Sequence, residues 1–186
     1  MTLIATTARL SLSEFCDADA TGFFRLNQDP EVLKYTGDTA FANLDAARGF
    51  IRQYDQYQRY GLGRWALHFN GDFIGFCGLK QHLGGDVDLG FRLMRCHWGK
   101  GLAFEAACAA ILLANDRYGL LRLVARAMEE NDASSYLLTK LGFSRCQHLD
   151  APPWQGFELE LHTASIEANL AAWRDTVSLT PRQGPK

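Results

Sequence analysis

Between residues 87 and 103 a period-two alternation runs into a glycine turn and then into a helical pattern. Val87, Leu89, Phe91 and Leu93 fall on one face of such a strand, and Asp88, Gly90 and Arg92 fall on the other. The apolar set reads as core, while Asp88 is a carboxylate able to take a proton. Gly90 leaves room for another backbone or a ligand. Gly99 and Gly101 can adopt positive φ and bring bare backbone against a ligand. A strand–Gly turn–helix unit aims several unpaired N–H groups at one spot, where the helix dipole is also positive. That is an anion site, and phosphate is its usual occupant. A second cluster lies in NDASSYLLTKLGF, from Asn131 to Phe143. There Asn131 brings an amide, and Ser134 and Tyr136 bring hydroxyls that can give up a proton. Each cluster has a structural reading as well. The strand can be half-exposed, the turn can simply join two elements, and Asn131 can be an N-cap with Ser134 at the third helical position.

These residues need strands and helices in alternation. Ala8–Leu12 reads as a first strand and Asp17–Asn27 as a short helix before the Asp29-Pro30 turn. Leu44–Tyr60 reads as one longer helix, ended by Gly61 and Gly63. Arg64–Phe69 and Phe73–Leu79 form a hairpin across Asn70-Gly71, a strong two-residue turn signal. Val87–Leu93 is the next strand and Leu102–Tyr118 the central helix. In that helix Ala103, Ala106, Ala107, Ala110 and Ala114 form a stripe that permits close packing on a sheet. Leu123–Met128 is a strand and Ala133–Leu141 a helix, followed by closing strands at Ser144–His148 and Phe157–His162. Ser165–Val177 reads as an added amphipathic helix, and TPRQGPK as a disordered tail. The order predicts an α/β (α+β) chain with a mixed, mostly antiparallel sheet. It divides into one domain over residues 1–164 and a C-terminal helix and tail over 165–186.

Composition narrows the function. With 186 residues, 47% hydrophobic and 22% charged, the chain suits one well-buried core. A net charge of −2 offers no electrostatic footprint for a long nucleic-acid surface. The five cysteines (Cys16, Cys77, Cys96, Cys108, Cys146) are scattered, with no CxxC pair, and the histidines lack zinc-ligand spacing. Reduced thiols in a cytoplasm fit better than disulfides or a metal, and no metal is expected. No apolar run approaches a membrane span, and the N-terminus lacks a signal-peptide pattern, so no membrane partner is expected. A Rossmann site is disfavoured because the third glycine is missing, and no GK[ST] P-loop occurs.

WGKGLA, from Trp98 to Ala103, resembles the Q/R-x-x-G-x-G/A signature of the GCN5-related N-acetyltransferase (GNAT) superfamily, with Gly101 and Ala103 at the two small positions. Trp98 departs from it at the Gln/Arg position. The phrase is similar to that of the RimJ/RimL-like subgroup, which acetylates ribosomal-protein N-termini. ARLSL near the start, YTGD at Tyr35–Asp38, GRWAL at Gly63–Leu67 and LGF at Leu141–Phe143 extend the resemblance over about residues 6 to 162. The resemblance implies acetyl-CoA as co-substrate. The N–H groups of Gly99, Lys100, Gly101, Leu102 and Ala103 would cradle its pyrophosphate, with Arg95 and Lys100 adding charge. Phe91 and Leu93 would line the cofactor from the strand, and Asn131 and Ser134 from the second motif. Ser134 would protonate the departing thiolate, a role that a tyrosine near this helix, matching Tyr136 loosely, takes in many relatives. Asp88 stands where relatives often carry Glu before L/I-G-Y, which makes it the general-base candidate, directly or through water.

Acyl transfer to an amine needs a base and an acid, because an α-amine has a reference pKa of about 8 and attacks only when unprotonated, and the thiolate leaves more readily when it is protonated. The acceptor is expected to be a primary amine, a peptide or protein N-terminus ahead of a polycation, since no long acidic run is present to hold one. Phe24–Tyr35 and the segment around Trp154 are expected to line its cavity, with Phe23, Phe24, Tyr35 and Phe41 beside the amine. A homodimer is left open. The alternative reading is a non-catalytic acyl-CoA-binding sensor of the same fold.

Overall fold

The computed structural model describes residues 1–162 and 164–180, apart from the side chain at 165. One mixed sheet runs through it. Its strands are β1 (Leu3–Thr7), β2 (Leu10–Ser13), β3 (Arg64–Phe69), β4 (Asp72–Gln81), β5 (Val87–Leu93), β6 (Arg122–Met128), β7 (Ser144–Arg145), β8 (Trp154–Glu160) and β9 (Val177–Leu179). The order across the sheet is β7-β8-β6-β5-β4-β3-β2-β1-β9. The pairings are antiparallel except for β5 with β6, which is parallel. The expected mixed, mostly antiparallel α+β architecture is therefore present.

The helices are α1 (Ala20–Leu26), α2 (Pro30–Leu33), α3 (Leu44–Gln53), α4 (Gln56–Tyr60), α5 (Leu102–Leu112), α6 (Asp132–Lys140) and α7 (Ala164–Arg174). Helix α5 is apolar except at Glu105 in its first turn. Leu102 and every residue from Ala106 to Leu112 are buried, because the sheet covers one side and α7 packs on it elsewhere. The Lys140 ammonium sits 4.8 Å from the Phe104 ring centroid and joins α6 to α5. On the opposite face α1 and α3 rest on an aromatic layer that includes Phe15, Phe23, Phe73 and Phe76.

The hairpin at Asn70-Gly71 forms as predicted, with φ +53 and +88 at the two turn residues and Phe69 opposite Asp72. The helix expected over 165–177 ends at Arg174, and Val177 opens β9, while the closing strand expected at 157–162 runs from Trp154 to Glu160. Other local readings differ from the structure for a visible reason. The sequence predicts one helix over 44–60, but the chain turns extended at Tyr54 and splits it into α3 and α4. The break lets Tyr54 Oη accept from the Arg64 amide at 2.7 Å, while Tyr57 Oη accepts from the Phe15 amide at 3.2 Å. Burial pushes the Tyr54 hydroxyl up to about 12 and raises Tyr57 too, so both stay neutral donors and acceptors. The first strand expected at Ala8–Leu12 is a turn and the start of β2, with β1 lying before it. The strand expected at Ser144–His148 shortens to Ser144–Arg145, after which Gln147–Leu149 form a single helical turn.

At the C-terminus, β9 pairs with β1 through Ala5–Leu179, Thr6–Ser178 and Thr7–Val177. The tail residues 181–186 lie outside the described residues. All five cysteines are free. Among the described residues no helix is long and apolar enough to cross a membrane.

Candidate active site

Strands β5 and β6 are registered at Asp88–Val124 and part beyond it, although β5 continues to Leu93 and β6 to Met128. Two parallel strands that separate leave backbone donors and acceptors facing an opening, which an extended polar chain can satisfy. The open end lies at the carboxyl ends of both strands, and each strand leads there into a helix start. Ligands of open α/β sheets collect at that end.

The first helix start is the glycine turn. Gly99 and Gly101 have φ +70 and +74, a region that favours glycine. A side chain at Gly99 would meet nothing within 4 Å, so the space over the turn is open. Gly101 is the N-cap of α5 and makes no side-chain cap bond, which leaves the first amides of the helix available to an anion. Trp98, the departure from the sequence signature, donates Nε1–H to the Leu93 carbonyl at 2.8 Å and fastens the turn to the end of β5.

Sequence reading did not reveal Arg9, which occupies the β1–β2 turn. Its Nη1 donates to the Lys100 carbonyl at 2.9 Å, and its Nε donates to Glu105 Oε2 at 2.6 Å. Glu105 also accepts from the Arg9 amide at 2.9 Å and from the Thr7 hydroxyl. Nη2 lies 3.5 Å from where a Gly101 Cβ would be. A cation thus stands at the mouth of the turn, 96 residues away in sequence from the glutamate that holds it. No local signal could have announced it. Arg95, expected to serve there, instead pairs with Asp29 at 3.1 Å and is exposed. It borders a shallow pocket of about 230 Å³ lined also by Arg25, Leu26, Val32 and Met94. Lys100 is exposed, and its carbonyl is the group engaged.

The second helix start carries the other motif. Asn131 Oδ1 accepts from the Ser134 amide at 3.1 Å, so the cap is real, and the Ser134 hydroxyl takes no part in it. Tyr136, two positions on and on another side of the helix, is 71% exposed. Phe91 and Leu93 lie on the α5 side of β5, Leu93 buried and Phe91 partly so, both in the main core.

Asp88 sits where the strands part, five residues or roughly 16 Å up-chain of Leu93. Its carboxylate meets Arg64 Nη2 at 2.5 Å and His82 Nε2 at 2.8 Å. Burial works to raise its pKa, but the Arg64 charge and the hydrogen bonds from His82 and Arg64 outweigh it and hold the carboxyl below its ordinary value. The space that Gly90 leaves is filled by the Arg64 guanidinium rather than by a ligand, since a Cβ there would lie 2.4 Å from Nη2. His82 is a further residue that sequence reading missed. Its signal was hairpin register: Lys80 lies opposite Asp88, and His82 follows two residues on along the same face, diagonal to Asp88.

On the same face Arg92 donates to Asn27 Oδ1 at 2.7 Å and to Asp38 Oδ2 at 2.6 Å. This anchors the 36–38 loop over the sheet. A Gly37 Cβ would stand 3.2 Å from the Trp154 ring and 3.9 Å from Met128. Gly37, just beyond the Phe24–Tyr35 stretch expected to line an acceptor cavity, is thus the residue that stands against Trp154 and Met128. Phe23 is 1% exposed and packs on Phe73 and Phe76, so it belongs to the core and not to an acceptor pocket.

Residues 9–144 match the model of the acetyltransferase (GNAT) domain. The chain is 32% identical over 144 residues to the Uncharacterized N-acetyltransferase p20 of Bacillus licheniformis, covering 75% of this chain and 81% of that one. Its fold is similar to that of an acetyltransferase from Agrobacterium tumefaciens, with TM-score 0.75, 21% identity and coverage of 86% and 95% of the two chains. It is also similar to RimL, the ribosomal L7/L12 alpha-N-protein acetyltransferase solved in complex with coenzyme A, at TM-score 0.69, 12% identity and coverage of 85% and 97%. The separating strands, the uncapped glycine turn and these matches agree: the chain belongs to the GNAT acetyltransferase family and is an acetyl-CoA-dependent acyltransferase.

Proposed function

We propose that the protein transfers the acetyl group of acetyl-CoA directly to a primary amine, a peptide or protein N-terminus being preferred over a polycation. The separation of β5 from β6, with an uncapped glycine turn at its open end, is the observation that carries this reading. The pyrophosphate lies on the amides of Gly99–Ala103 within reach of Arg9. The pantetheine arm follows the free edge of β5 past Phe91 and Leu93, with Asn131 and Ser134 on the other side.

The chemistry then divides among three groups. Attack needs a neutral amine, so a proton must leave it. Asp88 is held ionised and engaged, which suits it to orient and charge-balance His82. The imidazole of His82 is 46% exposed, lies within hydrogen-bond reach of Asp88, and takes the proton. Ser134 gives its proton to the departing CoA thiolate. Its hydroxyl is spared from capping, whereas Tyr136 projects into solvent and is the weaker candidate. Trp154, Met128 and the Gly37 loop offer an aromatic and apolar surface to the residue that bears the amine. This lining, the resemblance of the turn to the RimJ/RimL-like phrase and the likeness to RimL favour a peptide N-terminus.

The test is acetyl-CoA-dependent CoA release with N-terminal peptides, free amino acids, spermidine and an aminoglycoside in competition. Peptides should give the highest kcat/KM. A leading rate with spermidine or the aminoglycoside overturns the acceptor ranking, and no CoA release above background with any amine overturns the catalytic reading in favour of a sensor.

A further inference from the structure

We propose that Cys146, His148 and Glu158 form a binding site for a divalent metal of borderline softness, with Zn²⁺ the best match to the donor set. The site owes nothing to the acetyl-transfer reading. Cys146 and His148 lie on the turn after β7, and Glu158 lies on β8. Among the described residues they place one sulfur, one ring nitrogen and one carboxylate oxygen within 4.8 Å of one another. Cys146 Sγ is 3.1 Å from His148 Nδ1. Bonds of about 2.3 Å to sulfur and about 2.0 Å to nitrogen or oxygen place tetrahedral zinc ligands about 3.5 Å apart. Small side-chain rotations therefore close the site.

The thiol has one proton to share with the carboxylate and the imidazole beside it. A cation replaces that proton and serves all three ligands, with Cys146 releasing its proton to solvent as the thiolate–metal bond forms. Thiolate, imidazole and carboxylate together suit zinc and not Mg²⁺ or Ca²⁺, which require oxygen. Two negative ligands would balance the ion. The exposed His148 side leaves a way in and a fourth position for water.

The frame is already rigid. Arg145 binds both oxygens of Asp150, at 2.9 and 3.1 Å, and Asp150 Oδ1 accepts from the Gly156 amide at 2.6 Å. The Cys146 amide donates to the Gly156 carbonyl at 2.9 Å. Gly156 has no room for a side chain, since a Cβ would lie 2.3 Å from that of Leu149. On the far side, Arg122 donates to Glu158 Oε2 at 3.3 Å and to Asp86 at 2.8 Å. That contact orients the carboxylate. Zinc here would pin the turn between β7 and β8.

The test is a cobalt titration of the full chain, stripped with chelator and kept reduced. We expect a near-ultraviolet thiolate-to-cobalt charge-transfer band, with visible bands of tetrahedral intensity, both displaced by zinc. Cys146→Ser should abolish the charge-transfer band, while Cys96→Ser, at an exposed thiol elsewhere, should keep it. His148→Ala, an exposed change that preserves the fold, should weaken cobalt binding by about tenfold or more. Zinc should raise Tm in the wild type and leave the Tm of His148→Ala unmoved. Absence of the charge-transfer band at millimolar cobalt, or its persistence at unchanged affinity in His148→Ala, overturns the proposal.

Discussion

Arg64 reaches from β3 across β4 to the carboxylate of Asp88 on β5 and closes on it at 2.5 Å. Its Nη1 touches the Gly78 and Asp88 carbonyls on the way, at 2.5 and 2.8 Å. The path exists because Gly90 carries no side chain. Both partners are largely buried, with side chains 13% and 17% exposed, so loss of either one strands a charge.

Arg64→Ala should therefore cost about 3 kcal/mol of stability. Gly90→Ala should act through the same pair, because the new methyl displaces the guanidinium. Urea unfolding of both single variants and the double variant checks this. In the Arg64→Ala background, Gly90→Ala should cost almost nothing; a full cost there would show that Gly90 matters for another reason.

At the second helix start the cap can be separated from the proposed acid. The cap uses the Asn131 side chain and the Ser134 amide, and alanine keeps that amide. Ser134→Ala should keep its Tm and lose roughly 10²-fold or more in kcat, the range for an acid–base group. Asn131→Ala should lose about 1 kcal/mol of stability. Melting and turnover measured on the same preparations decide it, and a normal kcat removes Ser134 from the mechanism.

Coenzyme affinity should depend on Arg9. Arg9→Met removes a cation and releases the Lys100 carbonyl, and should weaken CoA binding by roughly tenfold, the scale of one charged hydrogen bond. Gly101→Val should weaken it further, by filling the cradle and by forcing a branched residue to φ +74. Calorimetry with CoA on the folded variants is the measurement. Undiminished affinity in Gly101→Val would place the pyrophosphate elsewhere.

Acid should expose a second buried carboxylate. Asp19 is 2% exposed and meets His68 Nε2 at 2.9 Å and the Cys16 amide at 2.9 Å. Burial raises its pKa, but the hydrogen bonds from His68 and Cys16 prevail and leave it below the ordinary value, as at Asp88. A carboxyl whose folded pKa is depressed contributes stability above its unfolded value of about 3.9 and loses it as pH falls through the folded value. Tm should thus fall steeply below about pH 4, and Asp19→Asn should flatten that slope while lowering Tm at neutral pH. An unchanged slope would assign the acid loss to other groups.

What the sequence determined by itself is local. Alternation at Val87–Leu93, the Asn70-Gly71 turn, the glycines before α5 and the Asn131 cap each depend on conformational preferences of neighbouring residues, and each is where the pattern placed it. Only the tertiary structure decided the rest. Strands β1 and β9 pair from opposite ends of the chain, too short to carry a period of their own. Tyr54 breaks a regular helical pattern because its hydroxyl reaches a β3 amide ten residues later. Arg9 with Glu105, Arg64 with Asp88, and Glu158 with the Cys146–His148 turn join residues from different elements, with no spacing that relates them. Their partners are chosen by which strands lie side by side, and the pairing of side chains across a sheet follows strand order and register rather than distance along the chain.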